Sequence, residues 1–454
     1  MSFAAEFRRN LWLELSPQRL IALPAIVLVL ILLNQVGNSG DPGDLAELGS
    51  WIFYLMVFLW GSRRAAAAVT EEVNGGTWTG QRLSALSPAA LVFGKLFGAT
   101  AFVWFGGLIG LALFAFGWLG QGGGAGPLLV ELLQRLASGV FLHAVAVALT
   151  LVLLNKRRLV GRLGTTLPQL LALGAALLLL GLFARVAIFS SVGLWQREIA
   201  WYGTLYDGAL FVAATALVFA LWALLACLRL MAAQLQRQQL PWAWPLFTLF
   251  CMAFVQGLAA DDAIDGRLVG PLAGPFGVAL VFFYLALFAE RNEPLRYRQC
   301  GAAFAGGQPR RGLALLPWWA LGWPILLAVV LWRGAEAPLE TGLWGELGEE
   351  LGVATPQPLL ANLGFALFAL RDAAFVLWIN AGRSQRAELT AFVYLLVLYG
   401  PLLALLGGLR AWTVMGLLAP LPLGEALPAL LSALAQAALL GFLTWRRWQA
   451  LFRG

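Results

Sequence analysis

Arg371 and Asp372 stand side by side inside the apolar run FALFALRDAAFVLW. A charge in hydrocarbon costs a few kcal/mol on insertion scales, about 2.5–3.5, so such residues are kept only where they pair or serve a site. Neighbours on a helix point about 100° apart, so each can reach a different helix. The pair reads either as a structural ion pair between helices or as a ligand contact or gate. Glu131 and Arg135, four residues apart at the mouth of another apolar run, are spaced to pair with each other. His143, flanked by Leu142 and Ala144, reads as a hydrogen-bonded interior residue or a ligand-facing one. Arg185 and Asp207 fall near run ends, where long side chains reach polar surroundings.

The remaining inventory argues against several chemistries. One histidine cannot make a His-rich metal site, and Cys227, Cys251 and Cys300 are too few and scattered for a disulfide framework. No metal and no cofactor is therefore expected. No GxxxxGK[ST] phosphate loop occurs, and Gly94-Lys95 enters an apolar run with no strand before it.

The elements that carry these residues are apolar helices. Of 454 residues 61% are apolar and 12% charged, against roughly 45–50% and 25% in soluble domains. Apolar runs able to cross ~30 Å of hydrocarbon recur from end to end. Twelve spans are expected, at 20–37, 51–70, 92–118, 132–154, 165–189, 205–228, 242–259, 271–289, 313–332, 359–380, 390–408 and 424–445. The fold class is thus an all-α integral membrane protein. The net charge of +7 does not point to nucleic acid, because the basic residues, nearly all Arg, sit singly or in pairs between apolar runs. With the N-terminus inside, 23 basic residues fall in inner segments and 4 in outer ones, so both termini are expected in the cytoplasm. Acidic residues gather opposite: Asp41, Asp44, Glu47; Asp261, Asp262, Asp265; Glu336, Glu340, Glu346, Glu349 and Glu350. Tryptophans such as Trp51, Trp60, Trp118, Trp242, Trp318 and Trp445 lie near span ends as an aromatic belt.

Residues 1–19 read as an interfacial elbow helix, with Phe3, Phe7, Leu11 and Leu15 recurring every fourth position beside Trp12. A cytoplasmic helix docked on the bundle is the alternative. The rest reads as two six-span halves, 20–230 and 231–454. In each half two spans lead to an inner segment opening with glutamate, Glu71-Glu72 in the first and Glu290-Arg291-Asn292-Glu293 in the second. Each segment runs to a proline at the next span, Pro88 or Pro317. Coincidence remains the alternative to a repeat.

The most informative stretch is EEVNGGTWTGQRLSALSPAALVFGKL, Glu71 to Leu96. Gly75-Gly76 breaks a helix, Thr77 is placed to cap a short new one, and Trp78, Arg82 and Leu86 are expected on one face of it. Ser87-Pro88 then starts the next span. Such a short helix lying across the inner face could dock in a cleft of a partner.

Here the chain resembles the ABC-2 exporter permeases, through Glu72, Gly76-Thr77, Leu83, Leu86, Pro88 and Gly94-Lys95, together with the elbow-like N-terminus. The resemblance covers the first hundred residues, and the rest only through topology. It implies a transport permease of the inner membrane, not an enzyme. It also implies a separate ATPase subunit, in two copies, engaging Glu71, Glu72, Gly76, Thr77, Trp78, Arg82, Glu290 and Glu293. The usual member has six spans and pairs with a second chain, whereas this one carries both halves. The second inner segment lacks Gly-Thr and carries Arg296, Arg298, Arg310 and Arg311, which puts an equivalent second coupling helix in doubt. The cargo expected from so few buried charges is amphipathic or lipid-like. The rival readings are a lipid or glycan transferase and an ion-gradient carrier. The first would need acidic residues at metal-ligand spacing, and the second a compact Gly-Asp-Arg motif in the inner loop.

Overall fold

The computed structural model describes residues 5–37, 41–84, 86–156, 164–188, 198–259, 273–336, 358–382, 387–420 and 426–453. The acidic positions from Asp261 to Asp265 and from Glu340 to Glu350 lie outside them.

Among the described residues every element but one hairpin is helical. Eight helices are long and apolar enough to cross a membrane, and two sharply bent pairs raise the number to ten. This is an all-α chain with several membrane-spanning helices. Its outward surface matches: on α2 (Pro17–Gly37), Ile21, Ile26, Leu28, Val29, Leu32 and Leu33 are exposed, a surface suited to lipid and not to water.

The chain divides into two units, Met1–Ile199 with Leu205–Gln239, and Ala200–Thr204 with Leu240–Gly454. The first opens with α1 (Ala5–Glu14) and α2. Asp41 then caps α3 (Pro42–Phe53), accepting from Gly43 N at 2.9 Å, with Pro42 as the first helical residue. Thus Asp44 and Glu47, expected in a loop, are on a helix. The helix continues through a π-helical turn, Tyr54–Trp60, into α4 (Gly61–Asn74). After α5 (Trp78–Leu83) come α6 (Pro88–Phe93), a second π-helical turn (Gly94–Gly98) and α7 (Ala101–Gly120). Ser87 caps α6 as the sequence predicts, accepting from Ala90 N at 3.1 Å.

Small residues set the α3–α7 packing. A Cβ on Gly110 would lie 2.8 Å from both Gly49 O and Phe53 N, and one on Gly117 2.4 Å from Ala46 N. Only glycine allows backbones this close, the usual route to helix association where lipid removes the hydrophobic drive. Beside them Phe53, Val57, Val103 and Leu111 form a buried core. The unit is completed by α8 (Ala125–Lys156), α9 (Thr166–Ile188) and α10 (Gly208–Gln234), the last capped by Asp207 to Leu210 N at 2.8 Å. Before α10 lies the departure from helix, strands β1 (Glu198–Trp201) and β2 (Thr204–Asp207), turned by Tyr202 and Gly203 at positive φ.

The second unit contains α11 (Ala243–Ala259), α12 (Ala273–Ala289), α13 (Pro294–Ala305), α14 (Pro309–Leu315), α15 (Trp318–Glu336) and α16 (Pro358–Asn380). It continues with α17 (Ala387–Val397), a third π-helical turn (Leu398–Leu402), α18 (Leu403–Gly408), the short α19 (Trp412–Leu418) and α20 (Ala426–Arg453). Phe283, Leu287, Leu326, Val330, Ala369 and Val376 centre its core.

Candidate functional site

The segment after α4 is shaped by its backbone first. Gly75 ends the helix and Gly76 turns at φ 75°, a left-handed conformation that favours glycine. Thr77 N then donates to Glu72 O at 3.0 Å and Gly76 N to Val73 O at 3.4 Å, which closes the helix end in a Schellman turn. Thr77 does precede α5, but its hydroxyl bonds back to Glu72 O at 3.3 Å and caps nothing. Helix α5 also ends at Leu83, so Leu86 is not on its face as expected.

Four elements then meet on buried polar groups. Glu72 takes hydrogen bonds from Lys95, from Gln81 of α5 and from Arg9 of α1. Lys95 is fully buried, donates also to Ala68 O at 3.2 Å, and lies 5.4 Å from the centre of the Trp78 ring. Glu6 receives Asn10 at 3.1 Å and Arg9 at 3.0 Å, and Asn10 also donates to Gly94 O at 3.3 Å. A carboxylate with two or three donors and a cation beside it is stable away from water, so this network fixes α5 rigidly against α1, α4 and the π-helical turn Gly94–Gly98.

The geometry reassigns several residues chosen from sequence. Glu72 and Trp78 point into the protein and hold α5 in place. Arg82 is exposed but its Nε is bonded to Gln234 O at 3.0 Å. Glu71 is exposed and pairs with Arg64 at 2.8 Å. What α5 offers outward is Thr79, Gly80 and Leu83, the last 82% exposed. On α1 the buried positions are Glu6 and Asn10, with Phe7, Leu11 and the following Leu15 half-buried: this helix docks on the protein through a polar face and leaves Trp12 and Leu13 exposed.

In the second unit Glu290 occupies the corresponding place in sequence. It pairs with Arg296 of α13 at 2.9 Å and accepts from the Trp318 backbone N–H at the start of α15. Burial pushes its carboxyl above the ordinary carboxylate range, and the Arg296 guanidinium and Trp318 amide draw it back. Glu293 precedes α13 and pairs with Arg291 at 2.8 Å. The segment folds, despite lacking Gly-Thr, into two short helices joined at Gly306-Gly307. Gly307 stands at φ 69°, and Gln308 N reaches Ala303 O at 2.8 Å, the same closing turn as at Gly76.

Arg371 and Asp372 are buried on α16. The two pair with each other, Arg371 Nε 2.9 Å and Nη2 2.7 Å from Asp372 Oδ1, and each also reaches other helices. Asp372 Oδ2 then accepts from Tyr284 at 2.6 Å and Tyr399 at 2.7 Å. Arg371 Nη1 donates to Leu418 O at 2.5 Å and Gln436 Oε1 at 3.1 Å. One ion pair thereby ties α16 to α12, α19, α20 and the π-helical turn after α17.

His143 is buried with Nε2 2.8 Å from Val57 O, inside the first π-helical turn, and its ring lies 5.2 Å from that of Trp104. This is the hydrogen-bonded interior role. Glu131 and Arg135 pair as expected, 3.1 Å apart.

Sequence reasoning passed over Glu6, Asn10, Gln81, Tyr284, Tyr399 and Gln436 as partners. Lys95, one of only two lysines, was legible as unusual. Among the described residues no three His, Cys, Asp or Glu side chains are grouped to hold a metal ion. No family model, curated protein or solved structure matches the chain.

Proposed function

We propose that the chain is the permease of an ATP-driven exporter of the ABC-2 kind, working with a separate ATPase subunit in two copies and moving an amphipathic or lipid-like cargo. The observation that carries this reading is α5: a six-residue helix, rigidly held by Glu72, Lys95 and Gln81, with an outward face of Thr79, Gly80 and Leu83 that is exposed among the described residues. A force-transmitting contact needs both properties. In this reading twelve spans form two six-helix halves in the inner membrane, with both termini cytoplasmic. The chain itself performs no chemistry. The paired glutamate staples, Glu72 and Glu290, and the paired glycine turns support the repeat.

The test is Leu83→Asp. Purified from native membranes, the wild-type chain is expected to bring ATP hydrolysis with it, and the variant to lose it while melting at the same temperature. Retained hydrolysis would remove α5 from the coupling contact, and no hydrolysis with either chain would remove the ATPase partner. A gradient-driven carrier is the second reading, favoured by the buried Arg371–Asp372 pair; transport that persists without ATP and collapses with the ion gradient would select it.

A further inference from the structure

The Arg371 guanidinium is saturated, but that of Arg135 is not. Arg135 and Glu131 are buried in α8, at 8% and 7% exposure, ten and six residues past its first residue Ala125. At 1.5 Å per residue they lie about 15 and 9 Å along the helix, at the depth of the upper acyl chains if α8 begins at the outer surface. The guanidinium carbon lies 3.6 Å from the centre of the Phe114 ring and 5.8 Å from that of Tyr54. Glu131 takes Nε in an ion pair at 3.1 Å. Nη1 is buried and has no hydrogen-bond partner among the described residues. A charged donor left unmet away from water is among the costlier defects a protein can carry, so the position calls for an oxygen acceptor from outside the chain.

Access and charge narrow what that acceptor is. Tyr54 is 36% exposed, and Trp51 and Leu55, on the same stripe of the α3 helix and its π-helical turn, are more than half exposed. An acyl chain can lie along this stripe with its polar end beside Tyr54. The Glu131–Arg135 pair is already neutral, so an anionic group would add an uncompensated charge in hydrocarbon. We propose that Arg135 binds the uncharged oxygen of an acyl-chain lipid, such as an ester carbonyl, between Tyr54 and Phe114. This inference goes beyond the transport reading and is tested on the isolated chain, so either can fail alone.

The experiment is native mass spectrometry of the purified chain titrated with monoolein and, separately, with oleate, which share a chain but differ in the charge of the head. Wild type is expected to bind monoolein about tenfold more tightly than Arg135→Met does, the scale of one hydrogen bond to a charged group. Oleate is expected to bind more weakly than monoolein. Because Arg135→Met strands Glu131, the double variant Arg135→Met with Glu131→Gln is titrated alongside; it is expected to fold and still to lose the preference. Equal monoolein affinity in wild type and the double variant would overturn the proposal, as water would then satisfy Nη1. Oleate binding as tightly as monoolein would overturn the choice of an uncharged head.

Discussion

Lys95 and Glu72, 23 residues apart in sequence, form a buried ion pair that closes the loop containing α5. Removing one partner strands the other. Lys95→Met is expected to cost about 3–5 kcal/mol of stability, and Lys95→Met with Glu72→Gln to recover a large part of it. Chemical denaturation of the three proteins in detergent checks this, and additive losses would show the pair to be uncoupled.

The Arg371–Asp372 pair gives a parallel expectation with a different witness. Arg371→Leu should lower stability by about 3–5 kcal/mol, and adding Asp372→Asn should restore some of it. Tyr284→Phe removes one donor to Asp372 and should cost about 1–3 kcal/mol. A Tyr284→Phe protein as stable as wild type would mean that the Asp372 contact carries no stability.

Glycine packing between α3 and α7 predicts steric failure. Gly110→Val should prevent the two helices from approaching and lower the melting temperature sharply, since a Cβ there meets the α3 backbone at Gly49 and Phe53. Gly126→Val, where a Cβ meets nothing within 4 Å, is the control expected to melt within a few degrees of wild type.

Orientation is open to labelling. Gln121, in the exposed turn between α7 and α8, should react as Gln121→Cys with a membrane-impermeant maleimide on intact cells. Leu83→Cys on α5 should react only after permeabilisation. The reverse pattern would invert the topology read from the arginines.

How much of this was legible beforehand follows a physical division. Apolar run length is local information, and the expected runs are mostly helical among the described residues, but eight helices are long and apolar enough to cross a membrane. The run 205–228 opens in strand β2, and 313–332 is broken at Leu316-Pro317 into two helices bent by 87°. The Ser87-Pro88 start was legible because a cap acts within one turn. The direction of Glu72 was not, because its partners Arg9, Gln81 and Lys95 come from three other elements. For α1, hydrophobic periodicity gives the Phe7 stripe, but the docking of Glu6 and Asn10 depends on Gly94 and Lys95 of another element and is not visible in periodicity. The hairpin at Tyr202-Gly203 was missed because the surrounding hydropathy reads as the mouth of a span.

Three π-helical turns among the described residues, Tyr54–Trp60, Gly94–Gly98 and Leu398–Leu402, hold Val57, Lys95 and Tyr399, each a member of a buried polar contact. A turn closed five residues back accommodates one residue more than an ordinary helical turn. Deleting a single residue there would let the turn close as an ordinary helical turn and keep everything beyond it in phase, whereas the same deletion in a regular stretch would rotate it by about 100°. These places are therefore slack joints: each can absorb a one-residue change in length that, in a regular turn, would swing Tyr399 away from Asp372 or Lys95 away from Glu72 while leaving the hydropathy of the span untouched.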